Sequence, residues 1–266
     1  MKPVRVLLPV GFGLNCEDET AQAFRMVGAE VDLVHLTDLF AGRHPRRIAD
    51  YQVLAMVGGF SYGDHVAGGL VLATRIRAHL KDDLAAFLSG GGRVLGICNG
   101  FQTLTRLGLL PGPEAGAPDF TPRATLTHNE RLGYRDAWVR VAPDPRSHCV
   151  WTRGLSAVDL PSRHGEGRFV AGSDEALRRL DARGQLPFRY VDASGKVAEA
   201  WPENPNGSAL GVAGVCDASG RILGLMPHPD AFLYPWHHPD WPRRRREVEA
   251  REAGGLAIFR AGVEGD

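Results

Sequence analysis

The stretch Arg93-Val94-Leu95-Gly96-Ile97-Cys98-Asn99-Gly100 runs from a predicted buried strand into a tight turn and on toward a predicted helix at 102–107. The apolar run 93–97 ends directly at Cys98, which places that side chain where the strand stops. Gly96 and Gly100 flank a turn in which bulky side chains would collide, and this pattern is typical of a nucleophile elbow. The stretch therefore predicts an α/β fold with a cysteine lifted above the edge of a sheet.

The same stretch has a chemical interpretation and a structural one. The helix after Cys98 points its positive N-terminus at the sulfur, which favours a thiolate. The backbone N–H of Asn99 then faces any oxyanion that forms on attack by that sulfur. The alternative is a buried structural cysteine in a turn that glycine merely permits.

Strands and helices alternate around the elbow. Apolar runs predict strands at 4–9, 30–36 and 53–57, and Asn15 is the expected cap of a first helix. A helical spacing of apolar residues predicts a long amphipathic helix through Ile76, Leu80, Leu84 and Phe87. This alternation predicts a three-layer, doubly wound α/β fold with a mostly parallel sheet.

The second half of the chain is less regular. It predicts shorter, antiparallel strands at 137–141, 188–191 and 209–215, a late strand at 222–226, and a closing helix at 247–259. No long flexible linker separates the halves, so residues 1–266 are expected to form a single domain.

Composition excludes several classes of partner. Lys and Arg number 31 and so do Asp and Glu, and this balance indicates neither a nucleic-acid nor a membrane partner. The N-terminal apolar run is too short for a signal peptide. The four cysteines are widely spaced without a CxxC pair, which favours a reducing cytoplasm and predicts no disulfide framework and no metal site.

Two further segments are candidates for the site. Gly58 and Gly59 follow a strand, and their loop (58–64) is either part of an oxyanion hole or a plain turn; it lacks the ending of a P-loop. His228 follows the late strand, so it shares the carboxyl edge of the sheet with Cys98. Asp230, two residues later, is placed to hold the other ring nitrogen of His228.

Other cysteines and histidines carry weaker signals. Cys16, Cys149 and Cys216 are interpreted as ordinary buried thiols, and the pair His237-His238 has no clear third metal ligand.

Four motifs resemble those of the class I (triad) glutamine amidotransferases: GICNGFQ at 96–102, GGFSYGD at 58–64, HGEGRF at 164–169 and MPHPD at 226–230. Within that family the chain is similar to the glutaminase subunits of phosphoribosylformylglycinamidine synthase, an enzyme of purine biosynthesis. The resemblance implies the flavodoxin-like fold of class I amidotransferases.

The resemblance also implies the roles of the site residues. Cys98 is expected to form a glutamyl thioester, with His228 as general base and acid. Asp230 stands where the family has Glu, and its shorter side chain is expected to orient His228 directly after a small shift or through water. The remaining expected contacts, for glutamine and for the oxyanion, are Gly58, Gly59, Phe60, Asn99, Gln102, His164 and Glu166.

Ammonia released in this way is expected to pass to a separate, larger synthetase subunit. By resemblance, that partner holds ATP, magnesium and formylglycinamide ribonucleotide, a third small subunit completes the assembly, and this chain carries no cofactor. The segment 232–242 is interpreted as an added loop that either covers the active site or meets the synthetase.

Two other functions remain open at the level of sequence. A stand-alone cysteine hydrolase of the same fold would need an elbow and a histidine but not the Gln102 and HGEGRF features. A non-catalytic interaction subunit would need neither Cys98 nor His228.

Overall fold

The chain folds around one large mixed sheet in the computed structural model, which describes residues 3–243 and 254–265. The strands, in chain order, are β1 (Arg5–Val10), β2 (Glu30–His35), β3 (Val53–Met56), β4 (Arg93–Ile97), β5 (Ala124–Thr127), β6 (Arg135–Pro143), β7 (Val158–His164), β8 (Arg168–Ala171), β9 (Phe188–Tyr190), β10 (Val212–Cys216) and β11 (Ile222–Leu225). The large sheet has the order β2-β1-β3-β4-β11-β10-β9-β6-β7, and β5 pairs with β8 in a separate two-stranded sheet.

The large sheet has a parallel half and an antiparallel half. Strands β2, β1, β3, β4 and β11 are mutually parallel. Strands β10, β9, β6 and β7 continue the sheet with antiparallel pairings. Every residue of β3, β4 and β11 is buried, as expected for parallel strands that are covered on both faces. The predicted doubly wound α/β fold is confirmed.

Helices cover the parallel half of the large sheet, and the helix Asp174–Ala182 packs on β8 of the small sheet. They are α1 (Glu17–Met26), α2 (Leu36–Phe40), α3 (Leu70–Ser89), α4 (Asn99–Leu107), α5 (Asp174–Ala182) and α6 (Gly254–Glu264). Helix α1 packs on α6, where the rings of Phe24 and Phe259 meet edge to face at 4.9 Å. Helix α3 packs on α4 and α2. No helix in the described part of the chain is both long enough and apolar enough to cross a membrane.

The ends of two helices differ from the prediction. Asn15 does not cap α1: the helix begins at Glu17, Cys16 holds the capping position, and no side chain bonds the first turn. The carboxamide oxygen of Asn15 instead accepts a hydrogen bond from the Cys16 thiol at 3.4 Å. The closing helix occupies Gly254–Glu264, and the predicted part at 247–253 lies outside the described residues.

Candidate active site

Cys98 sits on a strained turn between β4 and α4, with φ 49° and ψ −105°. Glycine is required on both sides of it. A Cβ at Gly96 would lie 2.5 Å from Leu104, and one at Gly100 would lie 1.9 Å from the carbonyl oxygen of Met56. A non-glycine residue in this conformation is rare and marks a site where the fold holds a side chain in a fixed direction. The predicted nucleophile elbow is therefore present.

His228 lies directly beyond β11, and its side chain is buried. Its backbone N–H donates to the carbonyl of Pro161 at 2.7 Å, which ties this turn to β7. The shorter carboxylate of Asp230 reaches the ring: Oδ1 is 3.3 Å and Oδ2 3.5 Å from Nδ1 of His228. These distances are longer than the 2.7–2.9 Å or so of a charge-assisted hydrogen bond. Asp230 thus faces His228 directly, in a loose contact.

The electrostatic surroundings favour a proton on His228. Burial alone lowers the pKa of His228, but the carboxylate of Asp230 and the nearby thiols of Cys16 and Cys98 outweigh it and raise that pKa well above its usual value. The imidazole is therefore basic enough to keep a proton taken from a nearby thiol and to give it to a leaving group later.

Gly58 is the meeting point of these side chains. A Cβ there would lie 2.8 Å from Cε1 of His228, 3.2 Å from Sγ of Cys16 and 3.6 Å from Cβ of Cys98. Only a residue without a side chain lets the cysteine of the elbow and the histidine after β11 approach each other from two sides. Cys98 and His228, which are far apart in sequence, are thus neighbours at one edge of the sheet.

The loop that contains Gly59 is held by the loop after β1. Phe60 N–H donates to the carbonyl of Gly13 at 2.8 Å, and Asn15 N–H donates to the carbonyl of Gly58 at 3.2 Å. Gly59 adopts φ +132°, which favours glycine. The hydrogen bonds of the described residues use neither the N–H of Gly59 nor that of Asn99. Gly59 lines the cavity at Cys98, whereas Asn99 is buried directly behind Cys98 at the start of α4, and among the described residues neither N–H is used by another group.

A chain of side-chain hydrogen bonds joins the three loops of the site. Asn99 Nδ2 donates to Asp64 Oδ1 at 2.7 Å and to Gln102 Oε1 at 2.8 Å. Gln102 Nε2 donates to the carbonyl of Glu166 at 2.7 Å, and the Glu166 carboxylate accepts from Gly68 N–H at 3.0 Å. Asn99 and Gln102 thus fix the relative positions of the 58–64 loop, the elbow helix and the 164–169 turn.

His164 supports the wall of the site through both ring nitrogens. Nε2 lies 2.9 Å from the Ser162 hydroxyl, and Nδ1 lies 3.1 Å from the side-chain oxygen of Asn129. Burial and the positive charge of His228 lower the pKa of His164 to about 3, so this ring is neutral at physiological pH. Asn129, which the sequence did not single out, also accepts from Gly167 N–H at 3.1 Å and so shapes the turn.

All these loops surround one cavity of about 440 Å³, within the usual range of small-molecule sites. Cys98 and His228 lie in it together with the predicted residues Gly59, Phe60, Gln102, His164 and Glu166. Its other lining residues are Asn15, Cys16, Asp64, His128, Gly133, Tyr134, Arg163 and Gly165.

The whole chain matches known proteins in sequence. The CobB/CobQ-like glutamine amidotransferase domain matches residues 3–264. A protein of Methanococcus maripaludis (strain C5) named phosphoribosylformylglycinamidine synthase subunit PurQ is 42% identical over 98% of this chain and 97% of its own. A protein of the same name from Dehalococcoides mccartyi is 39% identical over 99% of this chain and 98% of its own.

The fold has a match among solved structures as well. A chain of the PurLQS structure from Thermotoga maritima superposes with a TM-score of 0.71 at 26% identity, and 98% of each chain is covered. This chain belongs to the glutamine amidotransferase family.

One residue of this amidotransferase site was interpreted wrongly from sequence. Cys16 was taken for an ordinary buried thiol, but it is only partly buried and lines the cavity beside His228. Burial raises the pKa of the Cys16 thiol. Its position just beyond β1, at the same carboxyl edge as Cys98, is the signal that could have placed it in the site. Cys149 and Cys216 are buried, as predicted.

The added segment 232–242 does not line the cavity of the amidotransferase among the residues described. Phe232 and His238 pack on the ring of Trp138 in β6, at 5.3 and 4.9 Å between centroids. Tyr234 accepts a hydrogen bond from Gln22 of α1 at 3.5 Å. The segment therefore braces the antiparallel half of the sheet against α1.

Proposed function

We propose that this chain is the glutaminase subunit of a phosphoribosylformylglycinamidine synthase. It hydrolyses glutamine to glutamate and ammonia, and the ammonia serves a synthetase that converts formylglycinamide ribonucleotide to formylglycinamidine ribonucleotide. The observation that carries the proposal is the strained Cys98 beside a basic, buried His228 in one cavity. The relatives named phosphoribosylformylglycinamidine synthase subunit PurQ match nearly the full chain, and their name is the basis for the substrate that we assign to the synthetase.

The first half of the reaction forms a covalent intermediate. His228 takes the proton of Cys98, and the sulfur attacks the amide carbon of glutamine. The oxyanion that develops on the amide oxygen is stabilised by the N–H groups of Gly59 and Asn99. His228 then gives its proton to the departing nitrogen, so ammonia leaves and a glutamyl thioester remains on Cys98.

The second half restores the enzyme. Water enters the position that ammonia has left, and His228 removes its proton as it attacks the thioester carbonyl. The C–S bond breaks, the proton returns to the sulfur of Cys98, and glutamate dissociates. Asp230 holds the ring of His228 in the orientation that both halves require, from 3.3 Å.

The 164–169 turn provides the recognition of glutamine in this proposal. The carboxylate of Glu166 is partly exposed to the cavity and attracts the α-ammonium group of the substrate. Gln102 contributes from α4, and Gly58 and Phe60 complete the loop over the amide. His164 contributes as the neutral support of the turn, because both its ring nitrogens already have partners.

The rest of the chemistry belongs to other subunits. We assign ATP and magnesium to the synthetase subunit and no cofactor to this chain, and we expect a third small subunit and a cytoplasmic location. The structural match to a chain of PurLQS from Thermotoga maritima supports a partnership of this kind.

Co-purification of this chain with the synthetase subunit of the same organism tests the proposal. We expect the complex to hydrolyse glutamine faster than the isolated chain. Ammonia release is measured before and after the partner binds, with Cys98→Ala as the variant that should still bind the partner.

Two outcomes would support other functions. Cleavage of esters or peptides without any cleavage of glutamine would indicate a stand-alone hydrolase. Formation of the complex without glutamine hydrolysis in wild-type protein would indicate an interaction subunit.

A further inference from the structure

A second cysteine sulfur, that of Cys16, lies beside His228. A ring nitrogen of His228, a carboxylate oxygen of Asp230 and Sγ of Cys16 all lie within 4.8 Å of one another. The described part of the chain yields no other group of three such donors at this spacing. The glutaminase reaction proposed above forms no bond to Cys16, so the presence of its sulfur here needs another explanation.

Two of these donors carry atoms that no protein partner satisfies. Nε2 of His228 and Oδ1 of Asp230 are buried and make no hydrogen bond to the described residues. The side chains are 4% and 2% exposed. Buried polar atoms normally have a partner, because leaving one without costs about 1–3 kcal/mol. Nε2 of His228 is the nitrogen left to take the proton of Cys98 in the proposed reaction, so Oδ1 of Asp230 is the atom left for another ligand.

The donor set matches one class of cation. Thiolate, imidazole and carboxylate are the protein ligands of zinc, at about 2.3, 2.0 and 2.1 Å from the metal. Neighbouring ligand atoms around a tetrahedral ion then lie roughly 3.3–3.5 Å apart. The 3.3 Å from Nδ1 of His228 to Oδ1 of Asp230 already has this value, so Nδ1 is the ring nitrogen that would hold the metal. Sγ of Cys16 lies within 4.8 Å of both donors, and a movement of its side chain toward them would bring the third donor to the same spacing.

We propose that Cys16, His228 and Asp230 form a site for a thiophilic divalent cation, of which Zn²⁺ is the representative, and that the bound metal inhibits the glutaminase. The inhibition rests on the proposed function, whereas the metal site itself does not. On binding, the Cys16 thiol releases its proton to solvent and the sulfur becomes a metal ligand. The metal takes Nδ1 of His228 and the carboxylate of Asp230, the ring proton is then carried on Nε2, and His228 can no longer accept the proton of Cys98.

Cobalt spectroscopy tests the site without any activity measurement. Co²⁺ is added to the purified Cys98→Ala chain, in which Cys16 is the only sulfur left in the cavity. We expect absorption in the near ultraviolet from sulfur-to-cobalt charge transfer, and we expect the double variant Cys16→Ala/Cys98→Ala to lack it. Absence of the band from the single variant, or its persistence in the double variant, would overturn the proposal.

Zinc inhibition tests the consequence. Glutamine hydrolysis by the synthetase complex is measured against free Zn²⁺, and each variant is normalised to its own rate without metal. For Cys16→Ala and the isosteric Cys16→Ser, the Zn²⁺ concentration for half inhibition should rise by about tenfold or more. Loss of a residue that only supports a metal ligand already weakens binding by about that factor. The control variant Cys216→Ala, which changes a cysteine of the core, should be inhibited by the same concentration of Zn²⁺ as wild type.

Magnesium provides the control for the metal. Mg²⁺ prefers oxygen donors, so it should not inhibit at concentrations at which Zn²⁺ does. Equal sensitivity of wild type and both Cys16 variants to Zn²⁺ would mean that Cys98 and His228 hold the metal alone, and the proposal would be wrong. A complex that never hydrolyses glutamine would refute the proposed function instead, and the cobalt result would still decide the site.

Discussion

At the scale of single residues, the site depends on a carboxylate that is short for its role. Asp230 faces Nδ1 of His228 at 3.3 Å, and its charge is the main reason that the pKa of His228 stays high despite burial. The loose contact suggests that charge contributes more here than the geometry of one hydrogen bond. A variant that keeps the shape and removes the charge separates the two.

Asp230→Asn should lower kcat/KM for glutamine by a factor of roughly 10²–10⁴, the upper value being that of the same change in a serine-protease triad. Without the carboxylate, burial is no longer offset, so the pKa of His228 falls. The limb of the pH–rate profile that reports loss of the imidazolium proton should therefore move to lower pH.

Asp230→Glu is the matched control. It retains the charge and lengthens the side chain by one methylene, so its pH profile should stay close to that of wild type. If Asp230→Asn kept the kcat/KM and the pH–rate profile of wild type, Asp230 would neither orient His228 nor raise its pKa.

The sequence revealed those residues whose position carried a local signal. Cys98 stands between glycines at a strand end, and His228 and Asp230 follow another strand, so their places at the carboxyl ends of strands predicted their meeting. Asn129 could not be found in this way, because its contacts to His164 and Gly167 are made across 35 and 38 residues of sequence. The sequence contains no spacing that encodes such a contact.

At the scale of elements, the 164–169 turn is built around a neutral, buried histidine. His164 ends β7, and its ring lies against Gly167, where a Cβ would come within 2.3 Å. Protonation would force a charge into this packed turn. His164 should therefore make its own contribution to the pH dependence of stability, opposite in sign to that of His228, whose pKa is raised.

The sign of that dependence follows from the two pKa values. His164 has a pKa of about 3 in the folded chain and about 6.5 when unfolded. Between these values the unfolded chain binds a proton that the folded chain does not, so stability falls as pH falls below 6.5. From pH 7 to pH 5 the loss from this residue alone should be about 2 kcal/mol.

Urea denaturation at pH 7, 6 and 5 measures this effect. His164→Gln cannot titrate, so its free energy of unfolding should fall less over this interval than that of wild type, whatever its stability at pH 7. Parallel pH dependences of the two proteins would refute the neutral state of His164.

The elements that the sequence predicted are those with strong patterns. The fully buried, mainly apolar strands β3, β4 and β11 were found nearly to their ends. The edge strand β7 was missed because it contains Asp159, Pro161 and Arg163, and an edge position tolerates such residues where a central strand does not. The charged helix α5 was missed because few of its residues are apolar.

At the scale of the whole molecule, the sheet joins the two halves of the chain. Strand β11 pairs with β4 over four positions, from Ile222 with Val94 to Leu225 with Ile97. The late strand therefore sits in the middle of the sheet, and it brings His228 to the edge that carries Cys98. Neither half can complete the site or the core without the other.

The chain should consequently unfold as one unit, which tests the proposal of a single domain. Far-ultraviolet circular dichroism reports mainly on helices, most of which lie at 17–107. Fluorescence reports on tryptophans that all lie in the second half: Trp138, Trp151, Trp201, Trp236 and Trp241. The urea midpoints from the two signals should coincide; separate midpoints would indicate two domains.

The most direct test of the central claim, that Cys98 attacks the amide of glutamine, is covalent labelling with a chloroketone analogue of glutamine. Peptide mass spectrometry of the labelled synthetase complex identifies the modified sulfur. We expect one label, on Cys98, with labelling slowed by excess glutamine and absent from Cys98→Ala. A label on Cys16, which shares the cavity, or no label in the presence of the partner would contradict it.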